Sequence, residues 1–494
     1  MIGGSGDGGE GVAAVRPSRV TAEELRAAVS DPRVERFYEA RGWRPAWNEA
    51  TARALVETIG RAPAHALAPD AFLEAAARSD EPAAREAGLS LAALAYAEAL
   101  ARGRIDPADL YGIYTIDRPD PDLAAGLEAA LGQGDVAAWL EGLAPQDEEY
   151  RRLAEAYEAA GGRQAAERRA PVPAGPAIRP GAADPRLAAV VAALRAGGYL
   201  AAPADGQEAQ RAPARYGEEL AAAVRRLQED HGLEPNGVIG DETRAALNQS
   251  AFERARTLAV NLERRRWLPR AAPATRIDVN TAGAVLTYWR GGAVADRRRV
   301  VVGQPGNETP QLGSPMFRLV ANPTWTVPKS IEEEEIAPRG EGYLRRNNMI
   351  RRDGMIVQLS GPTNALGLVK FDMRNDHAIY LHDTPAKALF ARDRRHFSHG
   401  CVRVEDALGF ARMIAGQEGV LDRWERAQAA GEETFVPLPR PIPVRLLYHT
   451  AFVDGGRVRF RPDAYGWDEE LAAALGLPAT PRAARPDHVG DVGP

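Results

Sequence analysis

The chain changes character twice, and each change limits what it can fold into. From about Thr21 to Gly161 it is rich in Ala, Leu and Glu and poor in β-branched residues, which favours helices. Thr21-Ala22-Glu23-Glu24 reads as a helix start with a capping box, and Pro45, Pro63, Pro69 and Pro107 divide the region into short helices. Pro171, Pro173, Pro176, Pro180, Gly181 and Pro185 then have the composition of a linker. A compact helical unit follows to about residue 250. Within it Val224, Leu227 and His231 share one helical face, Gly232 is placed to end that helix, and Asn236-Gly237 is a tight turn. After Pro269 the segments become β-rich: Thr275–Asn280, Ala284–Trp289, Arg299–Val302, Met355–Leu359, Leu368–Phe371 and Ala378–Leu381, with a closing pair at Val444–Phe452 and Gly456–Arg461. A helix is expected from Glu405 to Ile414.

The expected fold class is therefore multidomain α+β. A helical domain occupies 21–170, a linker 171–185, a small helical domain 186–250, a connecting helix 251–273 and a mainly β domain 274–475. An irregular segment, 322–352, interrupts the last of these; tails at 1–20 and 476–494 are expected to be flexible. The acidic run Glu332–Glu335, behind Pro328-Lys329-Ser330-Ile331, reads as a solvated helix start. At 494 residues several domains are needed, since a single core does not grow to that size. The net charge of −6, without a long basic run, argues against a nucleic-acid partner. No apolar run is long enough for a transmembrane helix, and the Gly-rich start Met1–Gly9 lacks the pattern of a secretory signal. A single cysteine excludes an internal disulfide framework.

That cysteine, Cys401, carries the chemistry. Four of the eight histidines, His377, His382, His396 and His399, fall in the 25 residues that end at it. A thiol is a weak nucleophile until a neighbour takes its proton, and imidazole exchanges protons near neutral pH. The window reads as a cysteine acyl-transfer site. Two plainer readings compete: a buried inert cysteine, and a zinc site. Zinc is disfavoured because no second cysteine supplies the paired short spacing; no metal and no cofactor is expected.

His382-Asp383-Thr384-Pro385 followed by Ser398-His399-Gly400-Cys401-Val402-Arg403-Val404 resembles the signature of L,D-transpeptidases with a YkuD-type catalytic domain. Val302-Gly303-Gln304-Pro305, Thr309-Pro310, Asn322-Pro323-Thr324-Trp325, Asn364-Ala365-Leu366-Gly367 and Lys370-Phe371 fit too, and resemble the large YcbB-like branch. Phe37-Tyr38 through Pro45-Ala46-Trp47 resembles the start of that branch's helical scaffold domain, and the unit around Gly237–Asn248 a peptidoglycan-binding domain. Residues 322–352 fall where the branch has a capping subdomain.

The resemblance implies a Cys401 thioester, a tetrapeptide donor that releases D-Ala, an amine acceptor on a second stem, and a 3→3 cross-link. It implies His382 or His399 as proton-transfer partner, with His382 favoured, and backbone N–H groups of Gly400 and Cys401 as oxyanion donors. Arg403, Ser398, Tyr380 and Trp325 are the expected substrate contacts. The implied partners are donor and acceptor stem peptides and cell-wall synthesis proteins. The implied location is the periplasm or cell envelope, in tension with the missing signal. Carbapenem sensitivity is implied as well. The same donor half-reaction would serve an L,D-carboxypeptidase or a cross-link hydrolase. A non-catalytic wall-binding protein and a metal-dependent amidase are the alternatives from other classes.

Overall fold

The computed structural model describes residues 20–77, 81–162, 170–201 and 214–479, in a multidomain α+β arrangement. Apart from Val20, the expected N-terminal tail lies outside the described residues. Contacts divide the chain into two units.

The described residues of the first unit, 20–63, 67–77, 81–100 and 121–144, are mainly helical. Its first helix, Ala22–Ala28, starts with the expected capping box between Thr21 and Glu24. Tyr38 is buried, and its hydroxyl meets Ser90 Oγ at 2.7 Å. The Trp47 indole N–H donates to the same oxygen at 2.8 Å. The Phe37-Tyr38 and Trp47 blocks are thus tied to one buried serine.

The second unit comprises 64–66, 101–120 and everything from 145 onward. The expected helical domain 21–170 is therefore not one body. Residues 101–120 leave it because the Thr115 N–H donates to the Gln311 carbonyl at 3.2 Å. Residues near 148 leave it because Arg265 pairs with Asp147 and Glu149 at 2.9 and 3.0 Å.

The expected linker 171–185 is folded as well. Val172 and Ile178 are buried with Leu187, Val190, Leu220 and Val224, and Ile178 bridges to Ile239. Its prolines constrain an extended strap over that core. Asp230 ends the helix Glu218–Asp230, lies buried, and is ion-paired with Arg457 at 2.5 Å and with Arg459. Gly232 follows with φ +70°, and a Cβ there would stand 2.6 Å from the Arg461 guanidinium. Chain direction and close approach both require glycine. His231 packs its ring on Phe460 at 5.6 Å, a structural role.

The β domain contains β1 (Arg276–Asn280), β2 (Val285–Arg290), β3 (Ala293–Gly303) and β4 (Leu312–Ala321). Next come β5 (Trp325–Thr326), β6 (Met349–Arg352) and β7 (Met355–Gln358), then β8 (Val369–Met373), β9 (Leu381–His382), β10 (His396–Ser398) and β11 (Val402–Val404). Last are β12 (Thr434–Leu447), β13 (Ala451–Asp454) and β14 (Arg457–Phe460). The main sheet runs β10-β3-β11-β9-β8-β4-β12-β1-β2, and β2 also pairs with β3, so the sheet curls round to close on itself. Its inner face carries Val300, Val302, Leu319, Phe371, Leu381, Val402, Val404, Val436 and Val444. The helix Ala407–Gln417 fills that interior with Phe410, Ala411 and Ile414.

β12 carries Pro437, Pro439, Pro441 and Pro443 on alternate positions, facing away from the core, while Val436, Leu438 and Ile442 line it. Their missing N–H groups fall along one edge, and β1 pairs only with Val444–Leu447. β13 and β14 form a separate hairpin. β5, β7 and β6 make a small separate sheet, so the inserted segment continues past the expected boundary at 352. Its core joins Trp325, Ile331, Ile336, Leu344, Met349 and Ile356, extending to Leu366. At the C-terminus Leu477 packs beside Tyr111 and Trp267, and the Pro478 carbonyl accepts from Arg256 Nε at 2.9 Å. The expected flexible tail at 476–494 is ordered at least to there; residues 480–494 lie outside the described residues.

Phe410 is fully buried, 5.5 Å from the Phe371 ring and 5.9 Å from the Tyr288 ring. Phe410→Ala is expected to lower the unfolding free energy of this unit by about 3–5 kcal/mol, read from its urea midpoint.

Candidate active site

Cys401 stands in the turn between β10 and β11, both of which pair with β3. Gly400 has φ +112°, so the backbone turns there and the run is not extended across His399–Cys401 as alternation would require. Ser398 Oγ accepts the Gly400 N–H at 3.2 Å and donates to the Cys401 carbonyl at 2.6 Å. Thr309 Oγ1 ties this turn to β3: it accepts the Gly303 N–H at 2.8 Å and donates to the Gly400 carbonyl at 2.8 Å. A Cβ on Gly303 would lie 2.1 Å from the Asn307 carbonyl oxygen, so the loop to Thr309 lies directly against that strand. Of the two expected oxyanion donors, the Gly400 amide is already committed. The Cys401 amide makes no hydrogen bond among the described residues.

His382 comes from β9 and is in register with Arg403 of β11 and Lys370 of β8. The neighbours Leu381, Val402 and Phe371 point into the core, so Lys370, His382 and Arg403 share the outer face. His382 is fully buried, and its Nδ1 lies 2.5 Å from the Asp383 carbonyl oxygen. A carbonyl can only accept, so Nδ1 carries the proton. Nε2 then holds a lone pair, and it is buried without a hydrogen-bond partner. Burial first, then the Arg403 cation, push the imidazole down to about 3. The ring is neutral at physiological pH. The Asp383 carboxylate turns elsewhere, to the Leu368 N–H at 3.0 Å and to Lys387.

The Cys401 thiol is 5% exposed and donates to the Ala378 carbonyl at 3.6 Å. Burial pushes it up to about 11, opposed by the Tyr380 backbone, the Lys370 cation and the Tyr380 side chain. No thiol–imidazole hydrogen bond to His382 is formed, because His382 Nε2 is unpartnered; the resting pair is uncharged. Tyr380 contacts both groups. Its ring meets the His382 ring edge-on at 5.7 Å, the Lys370 ammonium sits 4.4 Å above it, and its hydroxyl interacts with Cys401.

His399 is held differently: its Nε2 pairs with Glu335 Oε1 at 2.6 Å. Glu335 belongs to the acidic run expected to be solvated. That run forms a π-helical turn, Glu332–Ile336, in which Glu335 is partly exposed while Glu332 is buried and pairs with Lys329 at 2.8 Å. Among the expected substrate contacts, Tyr380 reaches the sulfur. Ser398 is fully buried as the brace of the turn, Arg403 is 2% exposed beside His382, and Trp325 is 1% exposed in the core of the small sheet. Glu335, Lys370 and Thr309 were not singled out by sequence reasoning for the roles seen here. Lys370 and Thr309 lay inside quoted blocks, whereas an acidic run carries no mark of which carboxylate turns inward. Among the described residues no cluster of His, Cys, Asp and Glu could hold a metal ion.

The site thus combines a thiol, a neutral imidazole with an open accepting nitrogen, and an uncommitted amide donor, the parts of an acyl transfer. Because burial holds the thiol near 11, its thiolate fraction grows tenfold per pH unit up to that value. The rate of Cys401 alkylation by iodoacetamide is expected to keep rising past pH 9. Lys370→Met, which removes a cation favouring the thiolate, should shift that curve to higher pH.

Comparison with known proteins gives three family matches along the chain. Residues 32–156 match a scaffold domain family, 184–247 a peptidoglycan binding domain family, and 274–434 the L,D-transpeptidase catalytic domain family, YkuD. A Haemophilus influenzae protein named "Putative L,D-transpeptidase" is 32% identical over 242 residues, 44% of this chain and 49% of that protein. The chain thus spans about half the length of that curated relative. Among solved structures, an L,D-transpeptidase from Xylanimonas cellulosilytica is 17% identical, with 56% of this chain and 98% of that one covered at a TM-score of 0.20. One from Stackebrandtia nassauensis is 12% identical, with 59% and 100% covered at a TM-score of 0.23. The chain carries, in order, a scaffold domain, a peptidoglycan-binding domain and a YkuD-type L,D-transpeptidase catalytic domain.

Proposed function

We propose that this chain is an L,D-transpeptidase that joins peptidoglycan stem peptides through a thioester on Cys401. The observation that carries the reading is the tautomer of His382. Its Nδ1–H is committed to the Asp383 carbonyl, so Nε2 stands open as a proton acceptor on the face that also carries Lys370 and Arg403.

The thiol and the imidazole start uncharged, so the proton moves as the sulfur attacks. Sγ bonds to the carbonyl carbon of the amide between the third stem residue and D-Ala, and the thiol proton passes to His382 Nε2. The carbonyl oxygen takes the electron pair and meets the Cys401 N–H. When the carbonyl re-forms, the C–N bond breaks and the D-Ala amine leaves with the proton from Nε2. A side-chain amine of a second stem then attacks the thioester carbon and gives its proton to Nε2. The C–S bond breaks, the sulfur recovers the proton, and a 3→3 cross-link remains. Tyr380 contacts both reacting groups. Peptidoglycan lies outside the cytoplasmic membrane, so the working place is the cell envelope. No described helix is long and apolar enough to cross a membrane.

Incubation with disaccharide-tetrapeptide is expected to yield cross-linked dimers with one D-Ala lost per dimer, read by mass. Cys401→Ala and His382→Gln should each lower the rate by about 10³-fold or more. A carbapenem should add one inhibitor mass to the wild type and none to Cys401→Ala. Tripeptide as sole product would make the chain a carboxypeptidase; unchanged substrate and no adduct would overturn the reading.

A further inference from the structure

The outer face of the sheet does not end at His382. Along the register row from Arg403 and His382 come Lys370 of β8, Val320 of β4 and Phe435 of β12. Lys370 and Arg318 share the carboxylate of Asp372, at 2.7 and 2.5 Å. The Arg318 guanidinium lies between two rings, 4.2 Å from Phe435 and 5.0 Å from Phe317, and Arg374 covers Phe317 at 5.0 Å. A continuous run of contacts therefore leads from Cys401 through Tyr380, Lys370, Asp372 and Arg318 to Phe435.

Asp372 is buried within the run, but its cations and its terminal ring are increasingly exposed away from the sulfur. Cys401 is 5% exposed, Lys370 and Arg318 are 25% and 34% exposed in their side chains, and Phe435 is 49% exposed. Three cations, Lys370, Arg318 and Arg374, are set against the single carboxylate of Asp372, so the strip is cationic. An exposed phenylalanine with one ring face on a guanidinium is held rigidly and leaves an apolar surface to solvent. From β9 to β12 there are three strand spacings, about 14 Å. The three stem residues on the carbonyl side of the scissile amide span about 10 Å when extended, which leaves the far end of the strip for the sugar.

We propose that this strip is the binding site for the part of a muropeptide remote from the scissile amide. Arg318 and Arg374 take stem carboxylates, and Phe435 stacks on the apolar face of a sugar ring at the stem's attachment. The assignment rests on the transpeptidase reading for its ligand. Guanidinium forks suit carboxylates, and the strip is long enough for the three stem residues that precede the scissile amide and the start of the sugar.

The test measures binding of disaccharide-tetrapeptide and of sugar-free tetrapeptide to Cys401→Ala protein by calorimetry, which needs no turnover. Adding Arg374→Gln or Arg318→Gln should weaken both ligands about tenfold, with the loss reduced at high salt. Adding Phe435→Ala should weaken the disaccharide-tetrapeptide about tenfold and leave the free tetrapeptide unchanged. Arg374 and Phe435 lie on the surface, so a thermal midpoint near that of the parent protein is expected and separates lost binding from lost fold. Equal affinities in parent and variants overturn the site while leaving the transpeptidase reading intact. Failure of the wild type to turn over stem peptide, with the affinity differences present, overturns the transpeptidase reading and keeps the site.

Discussion

Three polar side chains, Lys370, His382 and Arg403, stand in one row across β8, β9 and β11, on the outer face of a sheet whose other face is hydrocarbon. Register alone sets this row: a slip of one residue in β9 would turn His382 into the core and Leu381 out of it. Two consequences follow from an imidazole buried between cations. The ring stays neutral, since both desolvation and the flanking charges oppose protonation. Its unprotonated nitrogen also has nothing to accept from, although a buried unmet polar atom costs about 1–3 kcal/mol. The fold keeps that cost at a site where an arriving proton would remove it, which is where such groups tend to be found.

Placing the sulfur is a backbone problem rather than a side-chain one. Gly400 must turn with a positive φ, and the peptide groups on either side of it need partners inside a turn between two strands. Ser398 and Thr309 supply them with one hydroxyl each, Ser398 within the turn and Thr309 from the loop that follows β3. With those bonds made, the Cys401 amide is left over as a donor. The turn that carries the sulfur thereby also leaves an amide donor beside it, which on the proposed reading would serve the oxyanion with little reorganisation on attack.

Much of this architecture was legible in the sequence, and the failures have physical causes. The change from helix-forming to β-rich composition located the domains in order, and β1, β2, β7 and β8 lie close to where alternation put them. The first part of β12 was not legible because four prolines normally disqualify a strand; it survives because the missing donors fall on one edge. Proline also misled at 171–185, where the same composition that makes a linker makes a strap once Val172 and Ile178 are given a core to cover. The split of the N-terminal helices between two units depends on long-range bonds such as Thr115 to Gln311, which no local pattern announces.

The four histidines near Cys401 show why a signature identifies a site more readily than it assigns its roles. All four are the same residue type within one short window, and the fold gives them different lives. His377 is exposed. His396 is pinned by the Thr281 carbonyl at 3.1 Å and packed edge-on against Tyr465, and burial lowers it to about 4. His399 is committed through Nε2 to a carboxylate from a segment more than sixty residues earlier in the chain. In His382 alone of the four, a carbonyl fixes one nitrogen while the other stays buried and unmet. Spacing from Cys401 does not distinguish these environments. They are set by which strand each residue falls on and which acceptor the fold brings to it, so the proposal of His382 as base rests on the hydrogen bond at its far nitrogen.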